Sequence, residues 1–350
     1  MICGKNRQIN PQVVRIVSDM PRLDRVCTER FVAANKRIGS DDTIWSGIRL
    51  FFETFRHDVV LLNSNTCRLL VLCALRWLFP FQRCRLVALD IHLSQPKGWE
   101  QRAIAWVKRL LLRKVDWFIH YFKDLEGYDR FYSIGARSTC VPFKVNYIEA
   151  VPAIAELSSD GEYVFTAGRS FRDLPTFIAA MRLVPYPGIL LYQDASLMKD
   201  FGTNLDLSDL PSNLRAEKHD GEKSWVEHLQ RAKLVVVPIR TDCMYAAGLS
   251  LYPMAMALKK CVIATNGPST RGLLTGEEAI VISPGDPVAM ADAIRGAWEN
   301  KDLRERVANA GRRYAERLGG EARLLSDILE ICGELVDEKI VKALRKRRPP

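Results

Sequence analysis

"AAGLSLYPMAMALKKCVIAT", residues 246–265, decides how the rest of the chain is read. Small residues (Ala246, Ala247, Gly248, Ser250) lead into a Met- and Ala-rich segment opened by Pro253, and the apolar strand "CVIAT" follows at once. Proline suits the first turn of a helix, where its missing N–H leaves no hydrogen bond unmade. Loop, helix and strand in this order make one α/β unit, and free amides in such a loop favour an anion. Taken alone, the stretch reads first as a Met-rich core helix between strands. Its loop and first turn, Ala246 to Met254, hold no carboxylate.

The pattern extends both ways. Apolar runs of strand length alternate with longer amphipathic segments, as in β-α-β units. In the first half the strands read as "VVRIVS", "DVVLLN", "CRLVALD" and "VDWFIHYF", with helices over 66–79 and 99–114. In the second they read as "YVFTAG", "GILLYQ", "KLVVVP", "CVIAT" and "AIVIS", with helices over 174–183, 223–232, 287–299 and 301–317. The Ser-Ser-Asp-Gly turn within 146–162 marks a change of texture between them. The expected fold is α/β: two Rossmann-like, doubly wound lobes facing a cleft. The expected division is 1–150, 151–320, and a closing helix with a basic tail over 321–350.

With 350 residues, 48% hydrophobic and 26% charged, the chain is long enough for two such domains. Its net charge of +10 lies in one half: residues 1–150 hold 24 Lys+Arg against 14 Asp+Glu, and the remaining 200 hold 27 of each. A basic first half suits anionic partners. Nine cysteines form no C-x-x-C pair and no metal-ligand spacing, which suits buried thiols in a reducing cytosol. Residues 1–20 hold no sustained apolar core, so no signal peptide is expected. The run "DVVLLNSNTCRLLVLCALRWLFP" is cut by Asn63, Asn65, Arg68 and Arg76, against a spanning helix.

In "TAGRSFRD", Gly168 lets the backbone approach a ligand closely, and Arg169 and Arg172 would grip a diphosphate with bidentate hydrogen bonds. Alone, the motif serves a surface turn with two solvated arginines equally well. In order and at these spacings, "GRSFRD", "KLVVVP", "AGLSLYPMAMALKKCVIAT" and "AIVISPGDPVAMADAIRGAWENKDLRERVANAGRRYAER" resemble the C-terminal blocks of GT-B glycosyltransferases of the retaining, group-1 type. The resemblance is strong over 161–317. Over 1–150 it is carried only by "LVALDIHLSQP" and "YSIGARSTCVPFKVN".

The resemblance implies a nucleoside diphosphate sugar as donor substrate, with no cofactor, held by the C-terminal lobe while an acceptor sits on the first. Arg169 matches the family's diphosphate-binding arginine, and Arg172 stands where a second cation is expected. The amides of Gly248, Leu249 and Ser250 match its phosphate-facing loop. Such enzymes stabilise the leaving diphosphate by positive charge in place of a metal, which suits a sequence with no D-x-D. The closing helix is implied to cross back to the first lobe. The departures are clear: two glutamates eight residues apart, the second a donor-ribose contact, are replaced by Ala246 and Met254. Met254 is thus carried as the residue at the donor position.

On the acceptor side the candidate is His92 in "LDIHLSQP", with Asp90 placed to orient it; a histidine satisfied at a strand end is the other reading. His120, inside "WFIHYF", reads as core. In "WEQRAIAWVKRLLLRK" tryptophans interleave with Arg102, Lys108, Arg109, Arg113 and Lys114, which suits an anionic membrane surface. The alternative packs Trp and Leu on the sheet and leaves the cations in solvent. The tail "KIVKALRKRRPP" adds charge. No nucleic-acid motif is present.

The expectation is a retaining, metal-independent hexosyltransferase of polysaccharide biosynthesis, cytoplasmic and peripheral on the inner membrane face. Its acceptor would be a lipid-linked or cell-surface glycan precursor. The rival is a non-catalytic GT-B-like partner or scaffold.

Overall fold

Two six-stranded sheets carry the fold, and every ladder in them is parallel. The computed structural model describes residues 11–64, 66–152, 161–219 and 221–337, with Glu222 and Lys223 described by backbone only. The chain divides into two compact units. The first comprises residues 1–120, 126–141 and 322–350, and the second 121–125 and 142–321. The sequence places this division at 150 and at 320; the fold places it at 141 and 321.

The first sheet holds β1 (Gln12–Ser18), β2 (Phe31–Arg37), β3 (Val59–Asn63), β4 (Arg85–Leu89), β5 (Trp117–His120) and β6 (Ser138–Cys140) in the order β2-β1-β3-β4-β5-β6. Between strands run α1 (Ile44–Glu53), α2 (Thr66–Leu78), α3 (Gly98–Leu112) and α4 (Glu126–Tyr132). The central strands are the uninterrupted apolar runs: "VVLLN" is buried at its first four positions and "RLVAL" at its last four. A strand covered on both faces needs such a run. Helix α1 starts at a reciprocal capping box, Thr43 Oγ1 accepting from the Ser46 amide and Ser46 Oγ from the Thr43 amide.

The second sheet holds β7 (Tyr163–Ala167), β8 (Gly188–Tyr192), β9 (Leu214–Lys218), β10 (Ala232–Val237), β11 (Cys261–Thr265) and β12 (Ile280–Ile282), ordered β12-β11-β10-β7-β8-β9. That is the doubly wound order, in which the chain reverses direction across the sheet between the first strand and the fourth, here β7 and β10. Its helices are α5 (Leu174–Arg182), α6 (Ala195–Asp200), α7 (Glu222–Arg231), α8 (Tyr252–Ala257), α9 (Pro287–Glu299) and α10 (Lys301–Leu318). Phe177 and Met181 of α5 and Met290 and Ile294 of α9 pack into one core with Val164, Leu234 and Ile263 of the strands. All six residues of α8 are buried. A helix apolar on every side is a core helix.

The last helix, α11 (Glu321–Val336), packs on the first unit. Arg30 bridges Glu330 and Glu334 at 3.2 and 3.0 Å, Arg85 Nε donates to the Leu335 carbonyl at 3.1 Å, and Gly333 lies against Phe31. The tail "KIVKALRKRRPP" lies outside the described residues.

None of the eight described cysteines is in a disulfide, and burial pushes the thiols of Cys73, Cys84, Cys243, Cys261 and Cys332 up to about 12. No described helix is long and apolar enough to cross a membrane. No described cluster of His, Cys, Asp or Glu has a metal-binding arrangement.

Candidate functional site

The switch point between β7 and β10 is where a doubly wound sheet opens a crevice at its strand ends. A pocket of about 380 Å³ lies there, within the range of small-molecule sites. Gly168, Arg169, Ser170 and Arg172 line it from the loop after β7, and Gly248 and Ser250 from the loop after β10. Gln193, His219 and Trp225 line it from beyond β8 and β9, and Asn146 and Tyr147 complete it. No carboxylate is among these residues.

The loop after β7 is held from below. Thr203, wholly buried, accepts from the Arg172 amide at 2.8 Å and donates to the Arg169 carbonyl at 2.6 Å. Asp173 leaves the pocket to cap α5, accepting from the Thr176 amide at 3.3 Å and its hydroxyl at 2.7 Å. This fixes the two arginines differently. Arg169 is exposed, its guanidinium 4.4 Å from the centre of the Phe201 ring, and it pairs with no carboxylate among the described residues. Arg172 is 3% exposed; Nε donates to the Ala167 carbonyl at 2.8 Å and Nη1 to the Ser170 carbonyl at 3.0 Å.

No acid neutralises Arg172 among the described residues, and burial lowers its pKa to about 10. An interior cation held only by neutral carbonyls is costly without a counter-charge. An anion in the pocket would supply it.

The loop after β10 approaches the same point. Gly248 has φ +90°, a left-handed conformation, and a Cβ there would strike Val237. The guanidinium of Arg172 lies beside both Gly168 and Gly248. The amides of Gly248, Leu249 and Ser250 have no acceptor among the described residues, whereas those of Leu251 and Tyr252 are spent on the Gly248 carbonyl. Successive free amides beside a cation form a concavity for an anion. In the opening stretch α8 is core, and Gly248 and Ser250 of the loop before it line the pocket.

Met254 is placed otherwise than the resemblance implies. It is wholly buried in α8 and does not line the pocket, so it offers a ligand no surface. Ala246 is also buried, at 9%.

His92 follows β4 in the first unit, half-exposed, with Nε2 3.5 Å from Asp90 Oδ2. Asp90 reaches it from a left-handed backbone, φ +46°. His120 is fully buried between Phe118 and Tyr128, and burial lowers its pKa to about 4, leaving a neutral core ring. The far wall of the pocket, Gln193, His219 and Trp225, carries no sequence motif. Only its position after β8 and β9, at the carboxyl edge of the sheet, could have pointed to it.

Residues 212–314 match the family described as glycosyl transferases group 1. No curated protein matches the chain in sequence. Among solved structures, Anabaena HepE in complex with UDP and glucose is 13% identical with a TM-score of 0.63, over 87% of this chain and 87% of that one. A glycosyltransferase from Rickettsia africae is 13% identical with a TM-score of 0.62, over 93% and 90%. Sucrose-phosphate synthase from Thermosynechococcus elongatus is 17% identical with a TM-score of 0.61, over 86% and 83%. The chain thus has the two-lobed, Rossmann-like GT-B fold, and the resemblance to group-1 GT-B glycosyltransferases rests on that fold and on the family match.

Proposed function

We propose that the chain is a glycosyltransferase that binds a nucleoside diphosphate sugar at the β7–β10 switch point. One observation carries the reading: Arg169 and Arg172 meet three free amides in a pocket whose lining contains no carboxylate. That donor set suits a diphosphate. It does not suit a divalent cation, so in this reading the arginines and amides carry the leaving-group charge. UDP, the nucleotide bound in the HepE structure, is the first donor base to try.

In the proposed reaction the oxygen of an acceptor hydroxyl bonds to the anomeric carbon of the donor sugar. The bond from that carbon to the β-phosphate oxygen breaks on the same face, with retention. The hydroxyl proton passes to the departing phosphate oxygen, and the products are the glycoside and the nucleoside diphosphate. Arg172 offsets the charge from within the fold, and Arg169 closes over it from the surface. His92, oriented by Asp90, serves the acceptor side. The acceptor is a hydroxyl of a lipid-linked or cell-surface glycan precursor, met in the cytoplasm at the inner membrane face.

A thermal-shift panel with UDP, GDP, ADP and dTDP tests the donor site, and one diphosphate raising the melting temperature names the base. Arg169→Ala should then lower turnover by about 10²-fold, the scale of losing one preorganised donor. Near-normal turnover would place the diphosphate elsewhere. The anomeric configuration of the product, read by NMR, decides between retention and inversion. A second reading, a non-catalytic scaffold, is favoured by the buried Ala246 and Met254, which leave no acid to grip the donor ribose. It predicts silence across the whole panel.

A further inference from the structure

Every exposed Trp and Phe among the described residues belongs to the first unit. Right-handed crossovers set α1, α2 and α3 side by side on one face of its sheet. At the ends of α1 and α2 the rings gather. Phe51, itself buried, has its ring centre 5.9 Å from Phe52, 5.5 Å from Phe55 and 5.6 Å from Phe79. Phe55 and Phe81 line one cavity of about 660 Å³, and Phe81 is 92% exposed. Lys114 lies 4.3 Å over Trp77. On α3, Trp99 and Trp106 stand two turns apart and point away from Ala105 and Leu112, which face inward.

The unpaired charges beside the Phe rings are cations. Arg49, Arg56 and Arg83 are exposed and form no ion pair among the described residues. The acids beside them are already engaged: Glu53 holds Lys36 at 2.7 Å and Asp58 holds Arg15 at 2.7 Å. Exposed aromatic area of this extent marks an interaction surface. The ring of unpaired guanidiniums specifies an anionic partner. A second copy would bring the same cations against themselves.

We propose that this face, formed by the ends of α1 and α2 with Phe81 and flanked by α3, docks on an anionic phospholipid bilayer. The rings of Phe52, Phe55, Phe79 and Phe81 enter the headgroup–acyl boundary, and Arg49, Arg56 and Arg83 bond lipid phosphates. This deepens the membrane-side part of the function proposed above. It stands on the first unit's surface alone, so its failure would leave the donor-site reading untouched.

The test is co-sedimentation of the full chain with phosphatidylcholine vesicles, with and without about one part in four of phosphatidylglycerol. The chain should pellet with the phosphatidylglycerol vesicles and be released by high salt. Phe55→Ser with Phe81→Ser should lower partitioning by about 10²-fold, since each ring contributes about a tenfold. Arg49→Gln, Arg56→Gln and Arg83→Gln together should cost a similar factor, while circular dichroism and melting stay as in the parent. Any of four results overturns the proposal. They are no pelleting with either vesicle, equal pelleting with both, unchanged pelleting of the Phe variant, or a dimer that the Phe variant dissociates in a chain that ignores lipid.

Discussion

Arg172 packs its guanidinium against the bare α-carbon of Gly168, pinned there by the carbonyls of Ala167 and Ser170. The glycine is doubly required: its φ is +113°, and a Cβ would fall on the guanidinium. A flexible side chain could swing aside, but a buried arginine tied to two carbonyls cannot. Gly168→Ala should therefore destabilise the protein by about 1–3 kcal/mol. It should also weaken diphosphate binding at least about tenfold, because the displaced guanidinium is the pocket's interior cation. Urea melts and a nucleotide titration measure the two effects. Parent-like values in both would show that neither φ nor contact matters.

The partnership of Arg169 with Phe201 gives a smaller, more specific prediction. A guanidinium stacked 4.4 Å from a ring at an exposed site gains about 0.5–1 kcal/mol. Phe201→Ala should weaken nucleotide binding about two- to fivefold, through freedom restored to Arg169. In an Arg169→Ala background the same change should cost nothing. A penalty that persists in the double variant would mean that Phe201 acts on the ligand directly.

Much of this was legible in the sequence, and the part that was not has a physical pattern. The strands found from sequence, such as "VVLLN" and "CVIAT", are buried on both faces and must be apolar throughout. The strands missed, "FVAANKR", "STC" and "LRAEK", sit at the sheet edges, half solvated, where no continuous apolar run is needed. Helix α1 is missed as well, although its capping residues Thr43 and Ser46 stand in the sequence. At the site, the G-R-x-x-R spacing pointed to both arginines. That Arg172 is interior and Arg169 exposed depends on Thr203, far along the chain, which no local pattern connects to them.

His120 makes an acid-stability prediction. In the unfolded chain an imidazole takes up its proton near 6.5; in the fold, burial lowers that to about 4. Between these values the unfolded state binds the extra proton, so stability falls as pH falls from about 6.5 towards 4 and is unaffected above. The full effect is about 3 kcal/mol. Urea midpoints measured from pH 7 to pH 4.5 should show it, and His120→Asn should flatten the slope by that share whatever its absolute stability. An equal slope in the variant would assign the acid loss to other groups.

Gly333 on α11 sets two opposing effects against each other. Alanine in a helix interior is favoured over glycine by about 1 kcal/mol. Here, however, a Cβ would come within 2.5 Å of three carbons of the Phe31 ring, and Phe31 is only 2% exposed. Overpacking of that kind costs about 1–3 kcal/mol, because a buried ring has nowhere to retreat. The clash should win, and Gly333→Ala should lower stability by about 1 kcal/mol. Pairing it with Phe31→Leu makes the test specific to the contact. If the clash is the cause, the smaller side chain relieves it, and the double variant is more stable than the two single losses added together. Strict additivity in urea melts would leave Phe31 out of the account and return the cost to the helix itself.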